Sequence, residues 1–315
     1  MSDTDETHYD KYCSDNVSML TDDDVLVVEI TTHMSSAKEF CETQEAANFK
    51  FDEIWWYFDG IWKSDEKGRV IKHTISETLT DLILNDDDDP KSKKRRIQFV
   101  QTLSHVNQIA SACTYHLYSD NFQGRLDQDS TLYGFSQGEV YDLKIPGIRK
   151  CVSTDLVSKR ANWRYRVPSE EDLVHFDQFM LSLFGNDAAM VNYVLCVLAV
   201  TAFAVTRIHQ IINFYGEGSN GKSLLLKLFD AVIGDYSKAV PFKALAQSGQ
   251  GEGASPCLAS SAGARLLLSS EPSANEKISG GLAKQLSGGD PVTARGLFKV
   301  PITFLPQFSW VIASN

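Results

Sequence analysis

The chain has 315 residues, 43% of them apolar, which is enough for two domains with buried cores. Its formal net charge is −11, but the first 50 residues alone carry twelve Asp and Glu against three Lys. The rest is nearly neutral, so composition shows no strong basic field and neither supports nor excludes nucleic-acid binding. Six scattered cysteines without a C-x-x-C pair argue against a zinc site and indicate reduced thiols.

The N-terminal 35 residues are polar and acidic, apart from the apolar run Val25–Ile30. We expect a mostly disordered tail, because such a composition cannot bury enough apolar surface to fold. No apolar core of a signal peptide is visible, and we therefore expect a cytoplasmic protein, with a nuclear location left open.

Residues 36–205 predict a mostly helical module with small hairpins. Trp55–Val70 has two short strand patterns around Asp59-Gly60, and Leu132–Leu143 has a strand–turn–strand pattern. Ser169 is a typical N-cap for a helix that continues through Phe184. Apolar residues at 173, 176, 180 and 183 predict that one face of this helix packs in a core.

An abrupt change of charge occurs where Asp86–Asp89 is followed by the basic stretch Lys91–Arg96. A nucleic-acid contact or a nuclear address is one interpretation. The other, which we favour, is a solvated loop whose charges neutralise one another.

Tyr193–Val205 is the longest apolar run and has thirteen residues. A membrane span needs about 18 or more, so we expect a buried helix and no membrane insertion. This helix should pack beneath the sheet predicted for the next part of the chain.

The stretch from Gly216 to Ser223 (GEGSNGKS) fits the spacing G-x-x-x-x-G-K-[ST] of a phosphate-binding loop. The apolar strand Ile211–Tyr215 precedes it, and a helix predicted over Ser223–Ile233 follows it, so a helix N-terminus would face the phosphates. The residues predicted to bind nucleotide are Gly216, Glu217, Gly218, Ser219, Asn220, Gly221, Lys222 and Ser223.

The last two residues of this loop have separate predicted roles. Lys222 supplies a cation for the β- and γ-phosphates, and the Ser223 hydroxyl is placed to bind Mg²⁺. We therefore predict ATP and Mg²⁺ as cofactors.

Two later apolar strands end in polar residues. Ala264–Pro272 contains Glu271, a carboxylate that can hold Mg²⁺ or activate the attacking water. Phe308–Asn315 ends in Asn315, whose amide can orient a water towards the γ-phosphate. Lys222, Glu271 and Asn315 form the predicted catalytic set, and Ser223 and Glu271 the predicted metal ligands.

Together with Lys284–Arg295 (KQLSGGDPVTAR), these motifs resemble the ATPase core of superfamily 3 helicases. They are most similar to the branch of poxvirus-type helicase–primases and phage or plasmid primases. The resemblance extends over about residues 45–315 and implies an α/β fold. In it, a helical module precedes a P-loop NTPase core (AAA+-like), which we predict over residues 206–315.

The resemblance implies an ATP-dependent DNA helicase of a viral or mobile-element replication system, assembled as a homo-hexameric ring with ATP between subunits. It implies that Asn315 senses the γ-phosphate. It also implies a channel loop in which Lys284, Arg295 and Lys299 meet the DNA backbone, and other replication proteins as further partners.

Two departures from the family pattern affect this interpretation. Ser270 stands where many related ATPases carry an Asp before the catalytic Glu. The family's arginine finger would follow Asn315, so we expect a core truncated at its C-terminus. The alternative function is a hydrolysis-poor assembly or scaffold protein that binds nucleotide and DNA without unwinding. A small-molecule kinase conflicts with the Lys284–Arg295 segment.

Overall fold

A computed structural model of the chain describes residues 32–204, 210–217, 220–243, 255–269, 280–297 and 301–314. They divide into two compact units. The first contains the described residues up to Phe58 together with Lys63–Phe122, and the second contains Asp59–Trp62 together with Gln123 and later residues. The domain boundary predicted at residue 205 falls inside the second unit and stays a prediction, and residues 1–31 of the predicted tail lie outside the described residues.

The helices are α1 (His33–Cys41), α2 (Arg69–Asn85), α3 (Pro90–Gln101), α4 (Leu103–Leu117), α5 (Phe122–Arg125), α6 (Glu170–Leu183), α7 (Ala188–Phe203), α8 (Lys222–Ile233), α9 (Pro256–Ala259) and α10 (Gly280–Gly288). The strands are β1 (Phe49–Asp52), β2 (Ile54–Phe58), β3 (Trp62–Asp65), β4 (Leu132–Phe135), β5 (Glu139–Asp142), β6 (Gly147–Lys150), β7 (Ile211–Tyr215), β8 (Ser237–Ala239), β9 (Leu266–Ser269), β10 (Val292–Ala294), β11 (Ile302–Phe304) and β12 (Ser309–Ser314).

The first unit is a cluster of helices α1 to α4 with the small sheet β1–β2–β3. Helix α2 turns one apolar stripe inward, since Ile71, Ile75, Leu79 and Ile83 recur every fourth residue and are all buried. The hairpin predicted around Asp59-Gly60 is confirmed by β2 and β3.

The acidic-to-basic segment does not form the solvated loop that we favoured from the sequence. Pro90 begins helix α3, and the Asp89 carboxylate caps it by accepting from the backbone N–H of Lys91 at 2.8 Å. Arg96 is buried, and its Nη1 donates to Asp86 Oδ2 at 2.7 Å and to Asp88 Oδ2 at 2.6 Å. The prediction was wrong because Asp-Pro is itself a helix start signal, which the run of charges obscured.

The acidic partners decide the ionisation of Arg96. Burial disfavours the charged guanidinium, but the hydrogen bonds to Asp86 and Asp88 leave the pKa of Arg96 above its usual value. Glu39 of α1 adds a third carboxylate at 3.8 Å from Nη2. Arg96 thus ties α1 and the α2–α3 connection to α3.

The second unit is built on a parallel sheet with the strand order β7–β12–β9–β8. Successive side chains alternate between its two faces. Val311 of β12 packs in a core with α7 and α8, whereas its neighbours Trp310 and Ile312 pack in a second core that includes Leu282 and Leu286 of α10. The sheet is therefore covered on both faces, and the expected α/β core with a P-loop-like arrangement is confirmed.

Arg265, directly before β9, links this sheet to the antiparallel sheet β4–β5–β6. Its guanidinium lies 5.2 Å from the ring centroid of Tyr133 and 4.4 Å from that of Tyr236. It donates to the carbonyl oxygen of Ala202 at 3.1 Å and to that of Leu132. Burial lowers the pKa of Arg265, and the two rings and two carbonyl groups provide its compensating contacts.

The turn Asp59–Trp62 belongs to the second unit, although β2 before it belongs to the first. Trp62 donates its backbone N–H to Val157 O and its indole N–H to Ser153 O, both at 2.8 Å. Gly60 also approaches Gly138 of the β4–β5 turn so closely that a Cβ on either would overlap the other's Cα. The strand–turn–strand prediction over Leu132–Leu143 is confirmed by β4 and β5.

Helix α6 begins as predicted, with a capping box between Ser169 and Asp172. The predicted core face is only partly correct. Met180 is fully buried, whereas Leu173 is 48% and Phe176 39% exposed. The amphipathic period identified the helix but could not show that its N-terminal half extends beyond the core.

Helix α7 contains most of the long apolar run, and it buries Val191, Val194 and Leu198 against α8 and the parallel sheet. Among the described residues, no single helix is long and apolar enough to cross a membrane. Helices α6 and α7, bent by 108° at their junction, meet that test only as a pair and by length and composition alone.

We expect Arg96→Gln to lower the free energy of unfolding by about 2 kcal/mol, because it removes charged hydrogen bonds from a buried position. The measurement is urea denaturation followed by circular dichroism. Arg95→Gln is the matched control, since Arg95 is exposed, and should stay within about 0.5 kcal/mol of the unmodified chain. Equal effects of the two substitutions would contradict the structural role of Arg96.

Candidate functional site

The predicted phosphate-binding stretch lies between a strand and a helix. Strand β7 covers Ile211–Tyr215 as predicted, and α8 begins at Lys222, one residue before the predicted start. Gly216, Glu217, Asn220 and Gly221 are described, whereas Gly218 and Ser219 lie outside the described residues. The arrangement directs the N-terminus of α8, which is the positive end of its helix dipole, towards the loop.

Gly221 is required at the start of α8 for two reasons. Its φ of +83° lies in the left-handed region that residues with a Cβ rarely adopt. A Cβ at this position would also overlap the Leu183 side chain, at the end of α6. The sequence motif predicted the first requirement, but no sequence signal pointed to Leu183.

The Lys222 ammonium group is held inside the loop. It donates to Asn220 Oδ1 and to the carbonyl oxygen of Glu217, both at 3.0 Å, and to the carbonyl oxygen of Gly216. All three acceptors belong to the loop itself, so the side chain curls back over the turn that precedes its own helix. Phosphate oxygens carry more negative charge than these acceptors and would attract the same ammonium more strongly.

Asn220 has a role in the loop that the motif does not specify. Its Oδ1 accepts from the Lys222 ammonium and lies 3.5 Å from the Lys222 backbone nitrogen. One carboxamide oxygen thus lies near both the backbone nitrogen and the side-chain ammonium group of Lys222. The motif allows any residue at position 220, so sequence analysis assigned Asn220 no specific role within the loop.

Ser223 is the second residue of α8 and is exposed, so its hydroxyl is accessible beside the loop. A hydroxyl oxygen is a hard ligand of the type that Mg²⁺ prefers, so Ser223 fits one ligand position of the predicted ion. Within the described residues there is no group of three or more His, Cys, Asp or Glu that could hold a metal by itself. The second predicted ligand, Glu271, lies outside the described residues.

Strands β9 and β12 both run parallel to the strand before the loop, and β12 lies between β7 and β9. The carboxyl ends of parallel strands meet at one edge of a sheet, where ligands of open α/β folds bind. Ser269 ends β9 and Ser314 ends β12 at that edge. Ser270, Glu271 and Asn315 follow these ends and lie outside the described residues, so their roles stay predictions.

Two of the three predicted nucleic-acid residues are described. Lys284 is exposed on α10, and Arg295 is exposed directly after β10, which pairs antiparallel with β11. The Arg295 carbonyl oxygen accepts from the backbone N–H of Ser255 at 2.9 Å, which anchors the base of the hairpin. Lys299 lies outside the described residues, and the role of all three cations stays a prediction.

Two curated viral proteins are similar to this chain. "Putative helicase L207/L206" of Acanthamoeba polyphaga mimivirus is 28% identical over 285 residues, which cover 83% of this chain and 30% of the viral protein. "Putative helicase 121R" of Invertebrate iridescent virus 3 is 27% identical over 230 residues, which cover 70% of this chain and 24% of that protein. This chain is similar to two viral proteins that are named as putative helicases. The resemblance that its motifs carry is thereby confirmed.

The chain spans less than a third of the length of those two proteins. No family model matches the chain. Among solved structures, the apo C-terminal region of NrS-1 has a TM-score of 0.46 at 12% identity, covering 90% of this chain and 57% of that one. A likeness at that score supports no conclusion about function.

We expect Gly221→Ala to reduce nucleotide binding strongly, because the added Cβ forces both a strained φ and a displacement of Leu183. The measurement is titration with a fluorescent ATP analogue in the presence of Mg²⁺. Gly280→Ala at the start of α10 is the control, since a Cβ there meets nothing within 4 Å. Normal affinity in Gly221→Ala would show that the loop is not the nucleotide site.

Proposed function

We propose that this chain is the ATPase part of a viral replicative helicase, which couples ATP hydrolysis to movement along DNA. The observation that carries the proposal is the strand β7, the glycine loop and helix α8, with the Lys222 ammonium held in the loop. The two similar viral proteins, both named as putative helicases, support the choice of a helicase over other proteins that use such loops.

The proposed chemistry is distributed over named residues. Backbone N–H groups at the start of α8 bind phosphate oxygens, and Lys222 neutralises charge on the β- and γ-phosphates. Ser223 and Glu271 would hold Mg²⁺, which would offset the negative charge of the phosphates. Glu271 takes the proton of the attacking water, and Asn315 orients that water towards the γ-phosphate.

The strand order is compatible with these proposed residue roles. Because β12 lies next to β7 and β9 lies next to β12, residues that follow β12 and β9 start from the edge where the phosphate loop begins. A water-orienting amide after β12 and a catalytic carboxylate after β9 could therefore reach a nucleotide bound at that loop.

Movement on DNA requires contacts that do not depend on base sequence. We propose that Lys284, Arg295 and Lys299 contact the DNA backbone, since cations on exposed segments can follow phosphates without sequence preference. We further propose a homo-hexameric ring with nucleotide between subunits, acting in the cytoplasm of the infected cell.

We expect Lys222→Ala to lower ATP turnover by ~10²–10³, because it removes one preorganised charge from a phosphoryl-transfer site. Steady-state phosphate release in the presence of Mg²⁺ measures this, in this chain or in a longer form that contains it. Lys227→Ala is the matched control, because Lys227 is exposed on the same helix outside the loop. Unchanged turnover in Lys222→Ala would refute the assignment of the loop.

We expect Glu271→Gln to retain ATP binding and lose hydrolysis, because the amide keeps the shape of the carboxylate but cannot accept the proton. Binding and single-turnover hydrolysis are measured on the same preparation, with Glu276→Gln as a neighbouring control. Lost binding with normal hydrolysis per bound ATP would make Glu271 a structural residue. Binding without hydrolysis in the unmodified chain would favour the non-motor assembly protein.

A further inference from the structure

Helix α3 carries a line of three cations on its outer side. Lys94 and Arg95 follow Lys91 by three and four residues, which places all three on one side of the helix. All three are exposed, whereas Arg96 and Val100 of the same helix are buried. We call Lys91, Lys94 and Arg95 the basic stripe.

Three of the four acidic residues that precede the basic stripe are engaged elsewhere. Asp86 and Asp88 accept from the buried guanidinium of Arg96. Asp89 uses Oδ1 to accept from the backbone N–H groups of Lys91 and Ser92, at 2.8 and 3.2 Å. The acidic run therefore balances Arg96 and the end of the helix, not the side chains of the basic stripe.

No described carboxylate forms an ion pair with a side chain of the basic stripe. Lys93 of the same helix, by contrast, makes a structural contact, since its Nζ donates to the carbonyl oxygen of Leu84 at 3.1 Å. Within the part of the chain that the structure describes, the three charges of the stripe do not contribute to folding through such contacts.

The position of the stripe is also unfavourable for the helix itself. Lys91 lies in the first turn of α3, at the positive end of its macrodipole, and that turn contains no acidic side chain, although the Asp89 cap offsets part of the positive charge. Residues that break a local rule without a compensating gain in the fold are typical of functional surfaces. A polyanion would gain from both the three cations and the helix end.

We propose that the basic stripe binds the phosphate backbone of a nucleic acid, as a contact separate from the predicted cations at 284, 295 and 299. Lys and Arg on an exposed helix face, without a shaped pocket, suit phosphates and offer no base readout. The inference rests on the proposed helicase function, because that function brings DNA to the chain. It assigns part of the DNA-binding surface to the first compact unit.

The experiment measures binding of a fluorescein-labelled oligothymidylate to the full chain by anisotropy, without nucleotide, between about 50 and 200 mM salt. The test variant is Lys91→Gln/Lys94→Gln/Arg95→Gln. Losing three phosphate contacts should flatten the log–log salt slope by about 2 and weaken binding at least about tenfold at 150 mM salt. The charge-preserving variant Lys91→Arg/Lys94→Arg/Arg95→Lys should bind as the unmodified chain does.

Lys38→Gln/Lys67→Gln/Arg69→Gln is the matched control, because it removes three exposed charges from the same unit at scattered positions. It should retain the salt slope of the unmodified chain. Equal losses in the control and the test variant would overturn the stripe in favour of a general charge effect. Loss of binding to poly-glutamate, with oligothymidylate binding intact, would instead assign the stripe to an acidic protein partner.

Failure of this inference and failure of the proposed function give different results. If the unmodified chain binds DNA and the test variant binds equally well, the stripe has no role and the proposed function stands. If the unmodified chain binds no oligonucleotide even at about 50 mM salt, both proposals fall. ATP turnover of the test variant, measured without DNA, should equal that of the unmodified chain, since the stripe lies outside the phosphate loop.

Discussion

The second unit depends on a buried guanidinium that has aromatic rings and carbonyl oxygens as neighbours. Removing a charge from water is costly, and no described carboxylate pairs with Arg265. The cost is offset by the ring faces of Tyr133 and Tyr236 and by the carbonyl groups of Leu132 and Ala202. These four partners come from β4, the end of α7 and the segment before β8, so one side chain fixes how three parts of the unit meet. Arg265 also begins the strand that leads towards Glu271, and the constraint therefore reaches the candidate catalytic edge.

The candidate nucleotide loop depends on residues outside the core predicted for it. Leu183 of α6 occupies the space that a Cβ on Gly221 would need, and α7 buries Val194 and Leu198 against α8. All of these precede residue 206, where the predicted P-loop core begins. The loop motif specifies the backbone conformation of the turn. The side chains that pack against Gly221 and α8 come from the preceding helices α6 and α7. Changes in those helices should therefore alter nucleotide affinity without touching the motif.

The sequence predicted the strands and the helix around the loop to within a residue or two, because short apolar runs between glycines leave few alternatives. It also predicted both hairpins and the Ser169 cap, whose signals are local. The prediction failed for residues 90–101, where a run of charges outweighed the Asp-Pro start of α3. Arg265 could not be predicted as a link, because its partners lie up to 133 residues away. The exposure of Leu173 could not be predicted either, since a periodic pattern shows which face is apolar but not how far the core extends.

The turn Asp59–Trp62 gives the chain an unusual connectivity. The backbone leaves the first unit after Phe58, contributes four residues to the second, returns at Lys63 and crosses again after Phe122. Three crossings mean that hydrolysis of one peptide bond cannot produce two intact modules. A fragment that starts at Gln123 would lack Trp62, whose two hydrogen bonds hold Ser153 and Val157, and would lack Gly60 against Gly138. Recombination that exchanged the second unit alone would separate it from Asp59–Trp62, which lies within the sequence of the first unit. The two units are therefore expected to be inherited together.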